Sequence, residues 1–430
     1  MTVETTTAGL VRRGAVRGDE RALAPDVARG LMLLLIVLSN TAYHLWAARR
    51  GPSGWHPVDG SPLDQAVQFT MILVLDMRIY PLFAFLFGYG MMQLFLRQTA
   101  AGTTERDAAA ILRRRSMWLV ALGLAHAILL MAGDILGYYG TLSLLLGWLF
   151  LRRSERALKW WILIASVQLV LVTTGPVLYA VLDGGLGAIG DPGAEPGYVL
   201  YASGEENWLE AAGTRLSTGL LLTFGAAPLS LVLGGYVIFL LGFWAARRRV
   251  LEEPDRHLPL LRGTAVLGIA VGWLGALPAA LAHIGVLQVP DAAQSESGAL
   301  TALRDVTGNA AGLGYVAAIA LFARWWASRP PRPGLPVVPA LAAVGKRSLS
   351  CYLTHSLLFA PVLAAWGLGL GEHLGSASMA VFGTGVWLLT AAGAYALERR
   401  GRRGPAEALL RRLMYGKAAQ PAVAGSRAAP

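Results

Sequence analysis

The sequence alternates between long apolar runs and short polar, charged segments from Leu31 almost to its C-terminal end. Ten of these runs approach the roughly 20 residues that an α-helix needs to cross a bilayer. Backbone groups in lipid must find partners within their own segment, so we expect helices and not open strands. The predicted fold is an all-α membrane bundle of about ten transmembrane helices. The runs cover residues 27–47, 67–97, 116–133, 135–151, 158–182, 218–246, 263–284, 307–323, 340–366 and 378–397.

Three of the runs are overlong, and we expect them to begin as kinked or surface-lying segments. In the run 67–97 the break is expected between Asp76 and Pro81, because proline removes a backbone donor and charge is costly in lipid. Residues 1–26 are a polar cytoplasmic tail, 27–417 a single transmembrane domain, and 418–430 an Ala- and Pro-rich tail that we expect to be disordered.

Positive charge predicts the orientation of the bundle. The chain has 37 Lys and Arg residues, and most lie in or beside the segments that become cytoplasmic when the N-terminus is placed inside. Lys and Arg concentrate in the cytoplasmic loops of membrane proteins. We therefore expect a multi-pass protein of the cell membrane with both termini in the cytoplasm.

Composition narrows the class of protein further. A hydrophobic content of 55% with 15% charged residues is typical of an integral membrane protein. The net charge of +11 is distributed between apolar runs and not along one face, so topology explains it and nucleic-acid binding is not expected. The single Cys351 excludes an internal disulfide and a thiolate metal cluster. No HExxH, P-loop or GxSxG motif is present, so we expect no metal site and no soluble NTPase or hydrolase.

The first apolar run carries polar residues on one side. Arg29 lies at its cytoplasmic end, Asn40 follows eleven residues later, and His44 follows four residues after Asn40. Eleven residues are about three helical turns and rise about 16 Å, so the three side chains share one face. Polar groups at membrane depth face a cavity or the bundle interior and mark functional sites. Arg29 is equally explained as a cytoplasmic anchor, and Asn40 as an interhelical hydrogen-bonding residue.

Two later spans carry further candidates. The stretch GLAHAILLMAGDILGYYG places His126 within a span and Asp134 at the tight turn after it. Asp134 suits a general base or a carboxylate that orients a histidine, but Asp before an apolar run is also a common N-cap, which we favour. His355 lies within GKRSLSCYLTHSLLF, and a lone histidine in a helix is more often a packing residue than a ligand.

Several segments together resemble a known family. DVARGLMLLLIVLSN, PLFAFLFGYGM, RRRSMWLVALGLAHAILLMAGDIL, GKRSLSCYLTHS and GPAEALLRRLMYG occur in the order and approximate spacing of the YeiB-type family of bacterial membrane proteins, which has a C-terminal domain of unknown function. That family is distantly similar to membrane acyltransferases, including the lysosomal heparan glucosaminide N-acetyltransferase. These share an Arg-Gly pair at the cytoplasmic end of the first helix, followed by Asn or His near the opposite face. Arg29, Gly30 and Asn40 match that pattern.

The resemblance implies an acyl-CoA-dependent O- or N-acyltransferase, with acetyl-CoA or another acyl-CoA as donor substrate and no permanently bound cofactor. The acyl group would pass to a hydroxyl or amine of a small-molecule, glycan or lipid acceptor at the outer face. Asn40 would donate a hydrogen bond to the thioester oxygen, and His44 or His56, assisted by Asp134, would deprotonate the acceptor. The cationic candidates for binding the nucleotide phosphates are Arg29, Arg113, Arg114, Arg115, Lys346 and Arg347.

Two alternatives use the same residues. A small-molecule transporter would use the buried polar groups His126, Asp134 and His355 as a permeation or proton path. The sequence shows no inverted repeat and no paired broken helices around a midplane site, which argues against this class. A non-catalytic membrane partner would tolerate loss of Asn40 or His44 without a functional effect. Oligomeric state is left open.

Overall fold

The computed structural model describes residues 22–183, 185–193, 197–330 and 336–415. The predicted disordered tail 418–430 and nearly all of the tail 1–26 lie outside these residues. Within them the fold is all-α, as predicted, apart from one isolated antiparallel bridge between Arg50 and Pro57. The α-helices are α1 (Leu23–His44), α2 (Pro62–Val74), α3 (Ile79–Ala100), α4 (Glu105–Leu129), α5 (Ile135–Phe150), α6 (Glu155–Asp183), α7 (Trp208–Leu220), α8 (Ala227–Val232), α9 (Val237–Arg247), α10 (Leu258–His283), α11 (Asp291–Gln294), α12 (Ala299–Ala327), α13 (Val337–Lys346), α14 (Ser348–Leu363), α15 (Ser376–Arg399) and α16 (Pro405–Tyr415).

Seven helical segments among the described residues are long and apolar enough to cross a membrane, fewer than the ten predicted. Three predicted spans have no counterpart among the seven. The span 135–151 is the short helix α5 of 16 residues, and the span 340–366 is divided into α13 and α14. The third, 116–133, lies in α4, which has 25 residues but begins with a charged segment. The chain is a multi-pass membrane protein. The seven segments are Leu23–His44, Ile79–Ala100, Glu155–Tyr179, Trp208–Val232, Pro254–His283, Asp291–Ala327 and Ser376–Arg399.

The predicted break between Asp76 and Pro81 is confirmed. α2 ends at Val74 and α3 begins at Ile79, with Met77 between them at a φ of 59°. A positive φ is unusual for a residue with a branched or long side chain, and such strained residues gather at functional sites. The break leaves Asp76 and Arg78 outside both helices, in the interior of the bundle.

Close helix contacts depend on glycine. A methyl group on Gly30 of α1 would collide with the carbonyl of Leu341 in α13, and one on Gly345 of α13 would collide with the carbonyl of Asp26. Small residues let helix backbones approach closely in membranes, where packing replaces the hydrophobic driving force. α13 is therefore packed closely against the first turns of α1.

The bundle has two chemically different ends. At the end where α1 begins, which we call the basic end, Arg29 lies beside Gly90 of α3 and Arg114 donates to the carbonyl of Met414. At the end where α1 stops, which we call the loop end, the Trp46 indole donates to the Leu363 carbonyl at 3.1 Å. Since α1 runs from one end to the other, its polar side connects them.

Candidate active site

His56 and Asp76 form a buried pair at the loop end. Nε2 of His56 lies 2.7 Å from Oδ2 of Asp76, and the two residues are 2% and 4% exposed. A carboxylate at this distance fixes both the orientation and the tautomer of an imidazole, leaving Nδ1 as the nitrogen that can accept a proton. This is the arrangement that a histidine general base requires.

The loop that carries His56 is fixed to the end of α1 by Arg50. The Arg50 guanidinium donates to the carbonyls of Ala42 at 2.8 Å, Leu45 at 2.6 Å and Trp55. The first two carbonyls lie at the C-terminus of α1, where backbone acceptors lack helical partners and a cation is favourable. Arg50 thereby positions the loop, and the bridge between Arg50 and Pro57 places His56 above the broken segment between α2 and α3.

Asp76 is positioned by the same break. The buried Arg78 donates to the carbonyls of Asp76 and, at 2.8 Å, of Gly272 in α10. The bond to Gly272 ties the irregular segment to the neighbouring helix, and the bond to Asp76 provides a donor for a carbonyl of the break itself. The Asp76 carboxylate is therefore held towards His56.

His56 borders a cavity of about 180 Å³ at the loop end. His283, at the end of α10, lies across it, with its ring centroid 5.9 Å from that of His56 and its Nε2 3.3 Å from Oε1 of Gln68. Arg304 of α12 also borders the cavity and is paired with Asp305 at 2.9 Å. The lining residues are Pro52, Ser53, His56, Val58, Ile72, Ala279, Ala282, His283, Gln294, Leu300, Thr301 and Arg304.

Asn40 and His44 lie together at a second, much smaller cavity. Its volume is about 10 Å³, close to the space that one water molecule needs. Nδ2 of Asn40 lies 3.8 Å from the sulfur of Met131, a weak acceptor. His44 is buried, and neither of its ring nitrogens has a hydrogen-bond partner among the described residues. The cavity is lined by Ile36, Val37, Asn40, His44, Met131, Tyr352, His355, Ser356, Phe359 and Ala360.

Asp134 has both roles that the sequence left open. Its Oδ2 accepts from the backbone N–H of Gly137 at 2.6 Å, which confirms it as the N-cap of α5. Its Oδ1 lies 2.8 Å from Nδ1 of His126 and accepts from the Tyr352 hydroxyl at 3.3 Å. The expectation that Asp134 assists His44 or His56 is wrong in its pairing, because the turn after α4 places the carboxylate against His126.

The arginines at the basic end divide into two groups. Arg29 and Arg115 approach α3 from different helices, Arg29 beside Gly90 and Arg115 over the Phe87 ring at 4.8 Å. Burial and the charge of Arg29 lower the pKa of the Arg115 guanidinium to about 10. Two cations so close together form a site that an anion would stabilise.

Arg29 is also paired with Asp26 of α1, with Nη1 3.4 Å from Oδ1, and the other predicted cations lie apart from this site. Lys346 and Arg347 both lie 2.7 Å from the Glu398 carboxylate, which joins the break between α13 and α14 to α15. Arg114 holds α16, as described above, and Arg113 is exposed on α4. The structure thus brings Arg29 and Arg115 together and places Lys346 and Arg347 in a separate ion pair.

Sequence comparisons find similar proteins in two bacteria. Over 414 residues it is 28% identical to the uncharacterized protein YeiB of Escherichia coli K12, covering 94% of this chain and 98% of YeiB. Over 271 residues it is 27% identical to the uncharacterized protein YxaH of Bacillus subtilis 168, covering 59% of this chain and 65% of YxaH, just under two thirds of that relative. The model of DUF418, a family of proteins of unknown function, matches residues 245–417.

The chain is a YeiB-like protein with a DUF418 region in its C-terminal half. Both cavities of this YeiB-like chain lie between that region and the part before it. His56 comes from the N-terminal part, whereas His283 and Arg304 come from the DUF418 region. Asn40 likewise faces Tyr352 across the smaller cavity. The candidate site therefore needs both parts of the chain.

Sequence reasoning did not assign Asp76, His283, Arg304 or Asp305 to the site. Asp76 was noted only as part of a helix break. A signal was available, because Arg304 and Asp305 are adjacent opposite charges immediately before a predicted span, where charge is costly unless it is used.

Proposed function

We propose that the chain is an integral membrane acyltransferase that moves an acyl group from cytoplasmic acyl-CoA to a hydroxyl or amine acceptor at the outer face. The observation that carries the proposal is the buried His56–Asp76 pair, 2.7 Å apart, on the wall of a 180 Å³ cavity. The cavity lies at the opposite end of the bundle from Arg29 and Arg115. The resemblance to membrane acyltransferases supplies the reaction class.

The topology belongs to the same proposal. With both termini in the cytoplasm, the basic end faces the cytoplasm and the loop end faces outwards, in agreement with the positive-inside rule. Together with the seven long segments, α4, α5 and the broken pair α13 and α14 give ten crossings. Broken helices are tolerated at membrane depth where neighbouring helices satisfy their backbone groups.

His56 is the base in this scheme. Its Nδ1 takes the proton from the acceptor hydroxyl or amine as the acceptor atom attacks the thioester carbonyl, and the C–S bond to CoA then breaks. The CoA sulfur leaves as a thiolate or takes up a proton. Asp76 stabilises the imidazolium that forms on His56. His44 is less suited to this role, because no carboxylate or carbonyl among the described residues orients its ring.

Asn40 and the arginines of the basic end bind the acyl donor, acyl-CoA, in this scheme. Among the described residues the Asn40 amide donates to the weak acceptor Met131, so it can donate instead to the thioester oxygen as negative charge develops there. Arg29 and Arg115 attract the phosphates of the nucleotide, since bidentate Arg–phosphate pairs are among the stronger polar contacts. Asn40 lies about 16 Å along α1 from Arg29, which the extended pantetheine arm of CoA would have to bridge.

The proposal is tested by release of free CoA from acetyl-CoA by purified protein in nanodiscs, with a panel of alcohols and amines as acceptors. His56→Gln should lower the rate at least about 100-fold, the usual contribution of a general base. His373→Gln is the matched control, because His373 is an exposed histidine at the same end of the bundle. Equal rates in the wild type and His56→Gln would remove the assigned base. Absence of CoA release together with gradient-driven solute flux would replace the proposal with the transporter.

A further inference from the structure

The ionisable side chains that line the 180 Å³ cavity are all basic. Its ionisable members are Arg304, His56 and His283, and its neutral polar members are Ser53, Gln294 and Thr301. Among the described residues that line it there is no Asp or Glu. Arg304 supplies a permanent positive charge and Ser53, Gln294 and Thr301 supply hydrogen-bond donors, so the lining favours an anionic group over a cationic one.

Arg304 is held in place by carboxylates outside the lining. Its side chain is 12% exposed, and its Nε donates to Oδ1 of Asp305 at 2.9 Å. Asp76, the other nearby carboxylate, is bound to His56. The bond to Asp305 is made through Nε, and neither carboxylate belongs to the residues that line the cavity. A fixed guanidinium fork matches the geometry of phosphate and carboxylate.

We propose that this cavity binds a phosphate or carboxylate group of the acceptor. The inference rests on the proposed acyl transfer and gives the acceptor a chemical class, an alcohol or amine that also carries an anionic group. The anion contacts Arg304 and His283, and the nucleophilic hydroxyl or amine lies at His56. The ring centroids of His56 and His283 are 5.9 Å apart, a spacing that one compact molecule spans.

The test measures anion binding separately from acyl transfer. Calorimetry on the full chain in phosphatidylcholine nanodiscs compares inorganic phosphate and glycerol 3-phosphate with uncharged glycerol. Arg304→Gln should weaken binding of both anions at least tenfold. Arg324→Gln should not, although it also removes an arginine of α12 that is paired with an aspartate, in this case the exposed Asp255.

The Arg304 side chain is only 12% exposed, so a second variant guards against misfolding. Ala279→Phe adds volume to the cavity wall without touching a charged residue, and it should also abolish anion binding. Repeating the titration in phosphatidylglycerol nanodiscs distinguishes the source of the anion. Competition by phosphatidylglycerol assigns the site to a lipid headgroup, and its absence assigns the site to a soluble anion.

Two results would overturn the inference. One is no binding of phosphate or glycerol 3-phosphate by the wild type in either nanodisc. The other is equal binding by the wild type and the two cavity variants. If CoA release still depended on His56 in that case, the acyltransferase proposal would be kept and the proposal of an anionic acceptor would be rejected. If the protein bound the anions but released no CoA, the anion site at Arg304 would be kept and the acyltransferase proposal would be rejected.

Discussion

Replacing Asp76 with Asn removes a negative charge 2.7 Å from His56 while keeping the size of the side chain. A hydrogen bond to a charged partner is worth about 1.5–3 kcal/mol, whereas a neutral one is worth about 1 kcal/mol. The amide oxygen of the variant can still accept from Nε2 of His56, so the barrier rises by the difference between the two kinds of bond, about 0.5–2 kcal/mol. The expected fall in kcat is about 2- to 30-fold, since about 1.4 kcal/mol is tenfold in rate.

The KM for acyl-CoA should be nearly unchanged in Asp76→Asn, because Asp76 lies at the loop end and the donor phosphates are assigned to the basic end. The assay is CoA release per mole of monodisperse protein, so that any loss of folded protein is removed from the comparison. Asp255→Asn is the control, as it also removes an ion-paired aspartate, one that is exposed and distant from the cavity. A kcat equal to that of the wild type, or a fall confined to KM for acyl-CoA, would refute Asp76 as the residue that orients the base.

Three further predictions concern stability and are checked by thermal unfolding in detergent. Gly345→Ala should destabilise the protein by about 1–3 kcal/mol, because the methyl group meets the Asp26 carbonyl; an unchanged Tm would show that α1 and α13 can separate freely. Glu407→Gln should cost about 1 kcal/mol, because the carboxylate accepts from two backbone N–H groups at the start of α14, at 2.8 and 3.1 Å; a gain in Tm would contradict this cap. Burial would raise the pKa of Asp64, but hydrogen bonds, including one from the Ala377 N–H at 2.8 Å, hold that pKa below 3.8. The ionised carboxylate therefore stabilises the folded protein at neutral pH, and this contribution is lost as the pH falls below about 4. Asp64→Asn should lack that acid-dependent component, and identical pH profiles for the two proteins would exclude it.

The broad fold was predictable because it follows from local rules. Apolar run length predicts helices, and a proline beside two charges predicts the break that separates α2 from α3. The number of spans was not predictable in this way. The run 340–366 reads as one helix, yet it divides at Arg347, whose guanidinium turns to Glu398 more than 50 residues away.

In the candidate site too, local features were predictable from the sequence, whereas contacts between distant segments were not. Asn40 and His44 were placed together correctly because residues four apart share a helix face. The partner of His56 was not foreseen, because the loop path that brings it to Asp76 is set by Arg50 and the C-terminal carbonyls of α1. Arg304 reaches the cavity only through the packing of α12 against α10, which sequence spacing does not specify.

Calorimetric titration of acetyl-CoA into the purified chain tests the central claim most directly, since an acyltransferase must bind its donor. Wild type is compared with Arg29→Ala and with Arg262→Ala, which removes an exposed arginine of α10. The account predicts micromolar binding that Arg29→Ala weakens at least tenfold and Arg262→Ala leaves unchanged. No heat of binding from acetyl-CoA or longer acyl-CoA with folded wild-type protein would contradict the account.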